Sequence, residues 1–327
     1  TSNNLELALW LEYERIKNAK IDSKNINKEK KIIQIERSML YDNTPYIKIS
    51  SEKLPTLLFK EHPYKYSIIG SEEDINNFDN YDFYHFYKTY YVPNNAILTI
   101  TGDFNLKEIK NLIKYYFESI PKGNIPIFNF KEEPTIEKEI VHTYKDQFAS
   151  IPAIILSYRT NAYHLKNNFN SLKNIFLIKL ISKLLFNGES SFLKKNLIHK
   201  KKIASFINYS LEILENYTIL TIYAITNKNI SLNQLIISID EEIENFKNKL
   251  SNIDIEKQIN FYEKNFYIKN SYILHIAKSL SRNKFLFGKS NIDIISIYKA
   301  FTIDDIKNMA NIFLNKNKRI RLYIIPK

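Results

Sequence analysis

Two carboxylates stand out in the segment Lys28–Leu40, KEKKIIQIERSML. Read as a helix, it puts Glu29 and Glu36 two turns apart on a shared face. One turn from Glu36 on that face lie Ile32, Ile33, Met39 and Leu40, all apolar. Glu29 points into the same stripe, beside Ile26, Ile32 and Ile33. A carboxylate on the buried side of a helix is costly unless a cation, a metal or several donors meet it. The pattern leaves three readings open: a salt bridge to an Arg or Lys elsewhere, escape to solvent at the helix edge, or a metal-binding or catalytic role.

Composition bounds the setting in which those glutamates act. A chain of 327 residues with 44% hydrophobic content suits two globular domains. The net charge of +12 is spread over scattered lysines, many beside Asn, with short runs at Lys28, Lys30 and Lys31 and at Lys200, Lys201 and Lys202. No basic stripe with interleaved aromatics occurs, so a nucleic-acid partner is not expected. With no Cys, neither a disulfide nor thiolate chemistry is open to the chain. No apolar run approaches the roughly 18 residues of a membrane span. The strongest, Ile175–Leu185, is short and interrupted by Lys179 and Lys183.

The elements that must position the glutamates follow from periodicity. Helices are expected over Leu5–Ala19, across the two-glutamate segment, over Leu54–Phe59, and after Ser71, which heads an acidic first turn. Asp82–Tyr91 is helical in spacing, its Phe83, Phe86, Tyr87 and Tyr90 reading as core. Ala96–Thr101 reads as a buried strand and Leu106–Phe117 as an amphipathic helix. An extended, Pro-punctuated linker follows. Beyond it, strands are expected at Glu139–Tyr144, Ala153–Arg159, Ala204–Leu211, Tyr217–Ala224 and Arg319–Ile325. Helices are expected at Phe169–Phe186, Ser191–His199, Ser231–Lys249, Asp254–Lys269, Ile273–Phe285 and Ile303–Leu314, the first of them stopped by Asn187-Gly188.

The two halves repeat one another. Asp82 through TITG overlays Asp305 through YIIP, with Ile97 on Ile320; further back, Leu5 falls on Leu232, Glu29 on Glu256 and Glu36 on Glu263. The expected fold is therefore α+β: two homologous domains, each a mainly antiparallel sheet packed with helices. Residues 1–123 form the first domain, 124–138 the linker and 139–327 the second domain. The second half opens with strands and a long helix that have no counterpart before Thr1, so the first domain reads as incomplete and the chain as a fragment.

NNLELALWLEYERI, KEKKIIQIERS with DNTPY, and the run from His62 to Gly123 (HPYKYSIIGSEEDINNF, FYKTYYVPNNAILTITGDFNLKEIKNLIKYYFESIPKG) resemble the insulinase/pitrilysin zinc peptidases, in their short two-domain bacterial or mitochondrial-processing form. LLFNGESSFLKKNLIHKKKIAS resembles a second-domain segment of the same family. The resemblance implies Zn2+ bound by an inverted His-x-x-Glu-His helix, with its Glu as general base and a distant Glu as third protein ligand. Glu36 matches that third ligand, and Glu29 a carboxylate that orients the site from behind it. No His-x-x-Glu-His occurs; His62, His85, His142, His164, His199 and His275 are isolated and read as surface or packing residues. The motif is expected about forty residues before Thr1, and the 327 residues alone are expected to be inactive. Phe192 and, approximately, Ser205 replace an Arg and a Tyr with which the family often holds substrate.

Two functions remain open. One is a zinc-dependent endopeptidase acting on extended peptides enclosed between two halves, dimerised with itself or with a family member that supplies the Arg/Tyr pair. The other is a non-catalytic assembly or substrate-holding subunit. The compartment stays open between bacterial cytoplasm and periplasm.

Overall fold

Ala153–Arg159, AIILSYR, is buried along its whole length, and that fixes the architecture. A strand with no solvent-facing side must be covered on both faces of its sheet. In the computed structural model, which describes residues 2–161 and 169–327, this strand (β2) lies at the centre of a five-stranded sheet. The others are β1 (Ile140–Asp146), β3 (Ala204–Ile213), β4 (Thr218–Thr226) and β5 (Ile320–Pro326). Their spatial order is β1-β5-β2-β4-β3. Only β1 and β5 run parallel, with Ile140 opposite Ile320; the remaining pairs are antiparallel.

Alternation along β2 sends its side chains to two cores. Ile154, Leu156 and Tyr158 join Leu220, Ile222 and Ala224 against helices α7 (Phe169–Phe186), α8 (Leu232–Lys249), α9 (Asn252–Asn270), α11 (Ile294–Lys299) and α12 (Ile303–Phe313). Ala153 and Ile155, with Ile219, Leu322 and Ile324, meet Ile49, Leu54, Leu58 and Phe59 from the first half of the chain. α7 is apolar almost all round and accordingly buried, Ile175, Ile178, Leu180 and Ile181 having no solvent contact. It stops where Gly188 takes φ +80°, a left-handed conformation that favours glycine.

The first half supplies α1 (Leu5–Lys17), α2 (Ser23–Arg37), α3 (Leu54–Leu58), α4 (Glu72–Asn77), α5 (Asn80–Tyr90) and α6 (Leu106–Phe117). Leu9, Ile26, Leu54, Leu58, Ile75 and Ile109 are their buried aliphatic anchors, and Tyr87 donates its hydroxyl to the Ile16 carbonyl, tying α5 to the end of α1. Helix α10 (Ile273–Phe287) joins the set on the second-half side. No helix among the described residues is long and apolar enough to cross a membrane.

Several sequence expectations change. Ala96–Thr101 forms no strand, and Ile97 and Leu98 are exposed. A strand needs a ladder partner, and no described residue pairs with this segment. In α5, Tyr87 is buried but Phe86 faces solvent, so the aromatic stripe is only partly core. Ser191–His199 begins as a short α-turn and then widens into a π-helix over Lys194–Lys200. Helix α11 was not expected; it is the repeat counterpart of α4, just as α8, α9 and α12 answer to α1, α2 and α5.

Candidate functional site

α2 starts where the Asp22 side chain accepts a hydrogen bond from the Asn25 N–H at 2.9 Å. Past Arg37 the chain winds into a π-turn over Ser38–Asp42. The stripe that faces the protein is mostly polar. Lys30 donates to the carbonyls of Asn76 and Phe78, and Gln34 Nε2 donates to Asn76 Oδ1 at 2.7 Å. Arg37 is buried, donating to Gly70 O at 2.6 Å and to Glu52 Oε1 at 2.5 Å, with Asp42 Oδ2 3.6 Å away.

Most of the apolar side carrying the two glutamates turns outward, contrary to its expected burial, while Ile26 is buried and Ile33 half-buried. Glu29 and Glu36 are exposed, and so are Ile32, Ile35, Met39 and Leu40, the last three at 60%, 66% and 52%. The physical reason is that Arg37 and Lys30 make charge-assisted hydrogen bonds to carboxylate and carbonyl partners on the inward side, which turning the other stripe inward would break. Neither Glu29 nor Glu36 is met by a cation or a hydrogen-bond donor among the described residues, so the salt-bridge reading does not hold.

The described residues contain no group of three or more His, Cys, Asp or Glu placed to hold a metal. Glu36 offers a single carboxylate, which does not make a zinc centre, since zinc sites draw on three or four protein ligands. The histidines are dispersed. His62 is buried among Phe59, Tyr64, Phe130 and Tyr217, and its Nδ1 accepts from the Tyr64 N–H at 3.3 Å. His85 meets Thr89, His142 stacks on Tyr144, and His199 lies 2.8 Å from Glu189. His275 lies on α10, and His164 falls outside the described residues. In the second half, Phe192 packs edge-on against Phe246 at 5.1 Å. Ser205 Oγ donates to the Thr226 carbonyl at 2.9 Å. The repeat counterpart of Glu36, Glu263, is held by Lys299 at 3.1 Å.

Two clusters escaped the sequence reading. Glu133 accepts the backbone N–H groups of Lys60, Glu61 and His62 and lies 3.5 Å from Arg159, both side chains being almost wholly buried. Only tertiary folding brings together residues so far apart in sequence. The other cluster surrounds Lys179 and Lys183, noticed in sequence only as interruptions of an apolar run.

A family model described as the Peptidase M16 inactive domain matches residues 77–262, and the chain belongs to that peptidase family. It is 27% identical over 205 residues to zinc protease PqqE of Helicobacter pylori, a match covering 62% of this chain and 44% of the relative. It is 24% identical over 230 residues to the uncharacterized zinc protease YmxG of Bacillus subtilis, covering 69% and 52%. The chain thus matches about half the length of these two curated relatives. A protease structure from Helicobacter pylori superposes with a TM-score of 0.89 at 22% identity, covering 100% of this chain and 77% of that one. At that identity the likeness establishes the fold.

Proposed function

We propose that the chain is part of a zinc-dependent endopeptidase that cleaves extended peptides held between two homologous halves. Residues 1–123 belong to the zinc-bearing unit, 124–138 to a linker and 139–327 to the inactive unit. Glu36 supplies one zinc ligand, and Glu29 orients the site from two turns before it. The other ligands lie outside these 327 residues, since no two of their six histidines stand one helical turn apart. The observation that carries the reading is the outward, unpartnered pair of carboxylates on α2, set in an exposed apolar surface. Such a surface is stable in water only at the cost of solvated hydrophobic area, and it becomes favourable when another element packs over it. The names of the relatives support zinc and proteolysis at the level of the family.

A second reading, a non-catalytic subunit that holds substrate or partners, draws on Phe192 and Ser205. One is spent on packing and the other on a backbone carbonyl. On the first reading, a partner chain would instead supply the substrate-binding Arg and Tyr.

The two readings separate on the intact protein, by metal analysis and cleavage of a quenched peptide. Glu36→Gln is expected to lower bound zinc and cleavage by more than about 100-fold and Glu29→Gln by about 10–100-fold, the cost of losing an orienting partner. Glu263→Gln, the repeat counterpart, should leave zinc unchanged. Zinc and cleavage surviving Glu36→Gln would remove the ligand assignment. An intact protein that binds no zinc would favour the second reading.

A further inference from the structure

Between α7, β3, α9 and α10 lies a cavity of about 650 Å³, a size that small ligands occupy. Lys179 and Lys183, one turn apart on α7, line its inner wall; Lys269, Lys278 and Arg282, all exposed, stand around its mouth. No Asp or Glu lines it. Among the described residues none of these five cations forms an ion pair. The inner two have aromatic faces for company, Lys183 Nζ lying 3.7 Å from the centre of the Tyr262 ring and Lys179 Nζ 5.7 Å from that of Phe176. His275, also on the wall, keeps a buried Nδ1 without a hydrogen-bond partner.

The placement costs the fold something. Burial pushes Lys179 down to about 8, with Arg282 and Lys269 adding repulsion. Burial likewise pushes Lys183 down to about 7, helped by Lys179 and Lys269. Ile178, Leu180, Ile181, Leu184 and Leu185, beside these two on the helix, are buried apolar residues, and the buried Ser182 hydroxyl is spent on the Ile178 carbonyl. A Leu or Met at either position would continue that pattern without desolvating a charge. Two lysine side chains held there, ringed by further cations and with no carboxylate among the lining residues, lack the counter-charge that would keep both protonated. Lysine is a compact point charge suited to phosphate and carboxylate oxygens. Side chains one helical turn apart start about 5–6 Å from each other, close enough for one multivalent anion to engage both.

We propose that this cavity binds a small oxyanionic ligand, a phosphate or polycarboxylate group seated between Lys179 and Lys183 and admitted past Lys269, Lys278 and Arg282. The site is independent of Glu36 and of zinc. Its test is calorimetric titration of inorganic phosphate, and separately of citrate, into the full chain at fixed ionic strength. Lys179→Met and Lys183→Met preserve length and remove the charge, and circular dichroism checks that each variant folds. At least one of the two probes should bind the wild type, and each inner variant should weaken it by at least about tenfold. Lys269→Met should weaken it less, and Lys249→Met, on α8 away from the cavity, should leave it unchanged. Which probe binds tells phosphate from polycarboxylate. Nitrogen NMR of the lysine side chains should show Lys183 keeping its proton to higher pH when the anion is bound. The proposal fails if neither probe binds the wild type, or if binding is indifferent to both inner lysines. It also fails if an acidic peptide occupies the cavity while both small anions do not.

Discussion

The sharpest energetic commitment at the residue scale is Arg319. It is 1% exposed and donates to Tyr158 Oη at 3.0 Å, to Glu139 Oε1 at 2.7 Å, and through both terminal nitrogens to Asp240. A guanidinium is planar and forked, so it can satisfy two carboxylates and a phenol at once, which a lysine cannot. Arg319→Met should destabilise by about 3–5 kcal/mol, because Asp240 would remain partly buried without its cation, while Glu139 would keep Arg321 alone, 2.9 Å away. A urea titration measures it, and a loss within about 0.5 kcal/mol of zero, as for an ordinary surface substitution, would contradict the account. Glu29 and Glu36 teach the opposite lesson. Their types and spacing were legible in sequence, but their exposure was not, because the neighbouring stripe of Lys30, Gln34 and Arg37 finds inward partners on α4, Gly70 and Glu52.

At the scale of elements, local signals worked where one pattern dominated. Leu106–Phe117 and Ala153–Arg159 form as read, the first from its amphipathic period and the second from an uninterrupted β-prone run. Caps are similarly local. Thr302 accepts the Asp305 N–H at 3.1 Å while the Asp305 carboxylate accepts the Thr302 N–H at 3.0 Å. Asp305 also receives Lys173 of α7 at 2.8 Å, so this cap fastens α12 to the central helix. Thr302→Ala is expected to lose about 0.5–2 kcal/mol, read as a lowered thermal midpoint, and Thr302→Ser should recover most of it. Ala96–Thr101 failed because its β-propensity is real but a strand is completed by its neighbour's hydrogen bonds, which no local pattern supplies. Helix α11 was missed although its repeat counterpart α4 carries a plain capping box; transferring that helix through the repeat would have found it.

For the molecule as a whole, the joint between its halves combines the apolar contact of Ile49, Leu54, Leu58 and Phe59 on the sheet with a buried polar cluster. Glu133, in the non-helical, non-strand run before β1, binds the backbone of the loop at 60–62, and its own N–H donates to Tyr217 Oη at 3.0 Å. Burial opposes its charge, but the N–H groups of His62, Lys60 and Glu61, together with Arg159, outweigh burial and hold its pKa below the ordinary 4.5. Its contribution is thus complete above that value and lost as pH falls through the depressed one. His62 is lowered from 6.5 by burial, against the pull of Glu133 and Glu215. Protonating it below 6.5 also opposes the fold. Acidification from pH 7 should therefore lower the urea midpoint in two stages, first through His62 and then through Glu133. In Glu133→Gln the second stage should shrink and the first remain; an unchanged acid limb would exclude the joint as its source.

By itself the sequence determined the α+β class, most helices and strands, the internal repeat and the family, because these rest on periodicity, caps and motifs that neighbours in the chain express together. Tertiary structure alone decided which face of α2 is turned inward, that Glu133 and Arg159 meet, and that Lys179 and Lys183 open into a cation-lined cavity. Those outcomes depend on which distant groups compete to satisfy a buried charge, and no spacing along the chain encodes that competition.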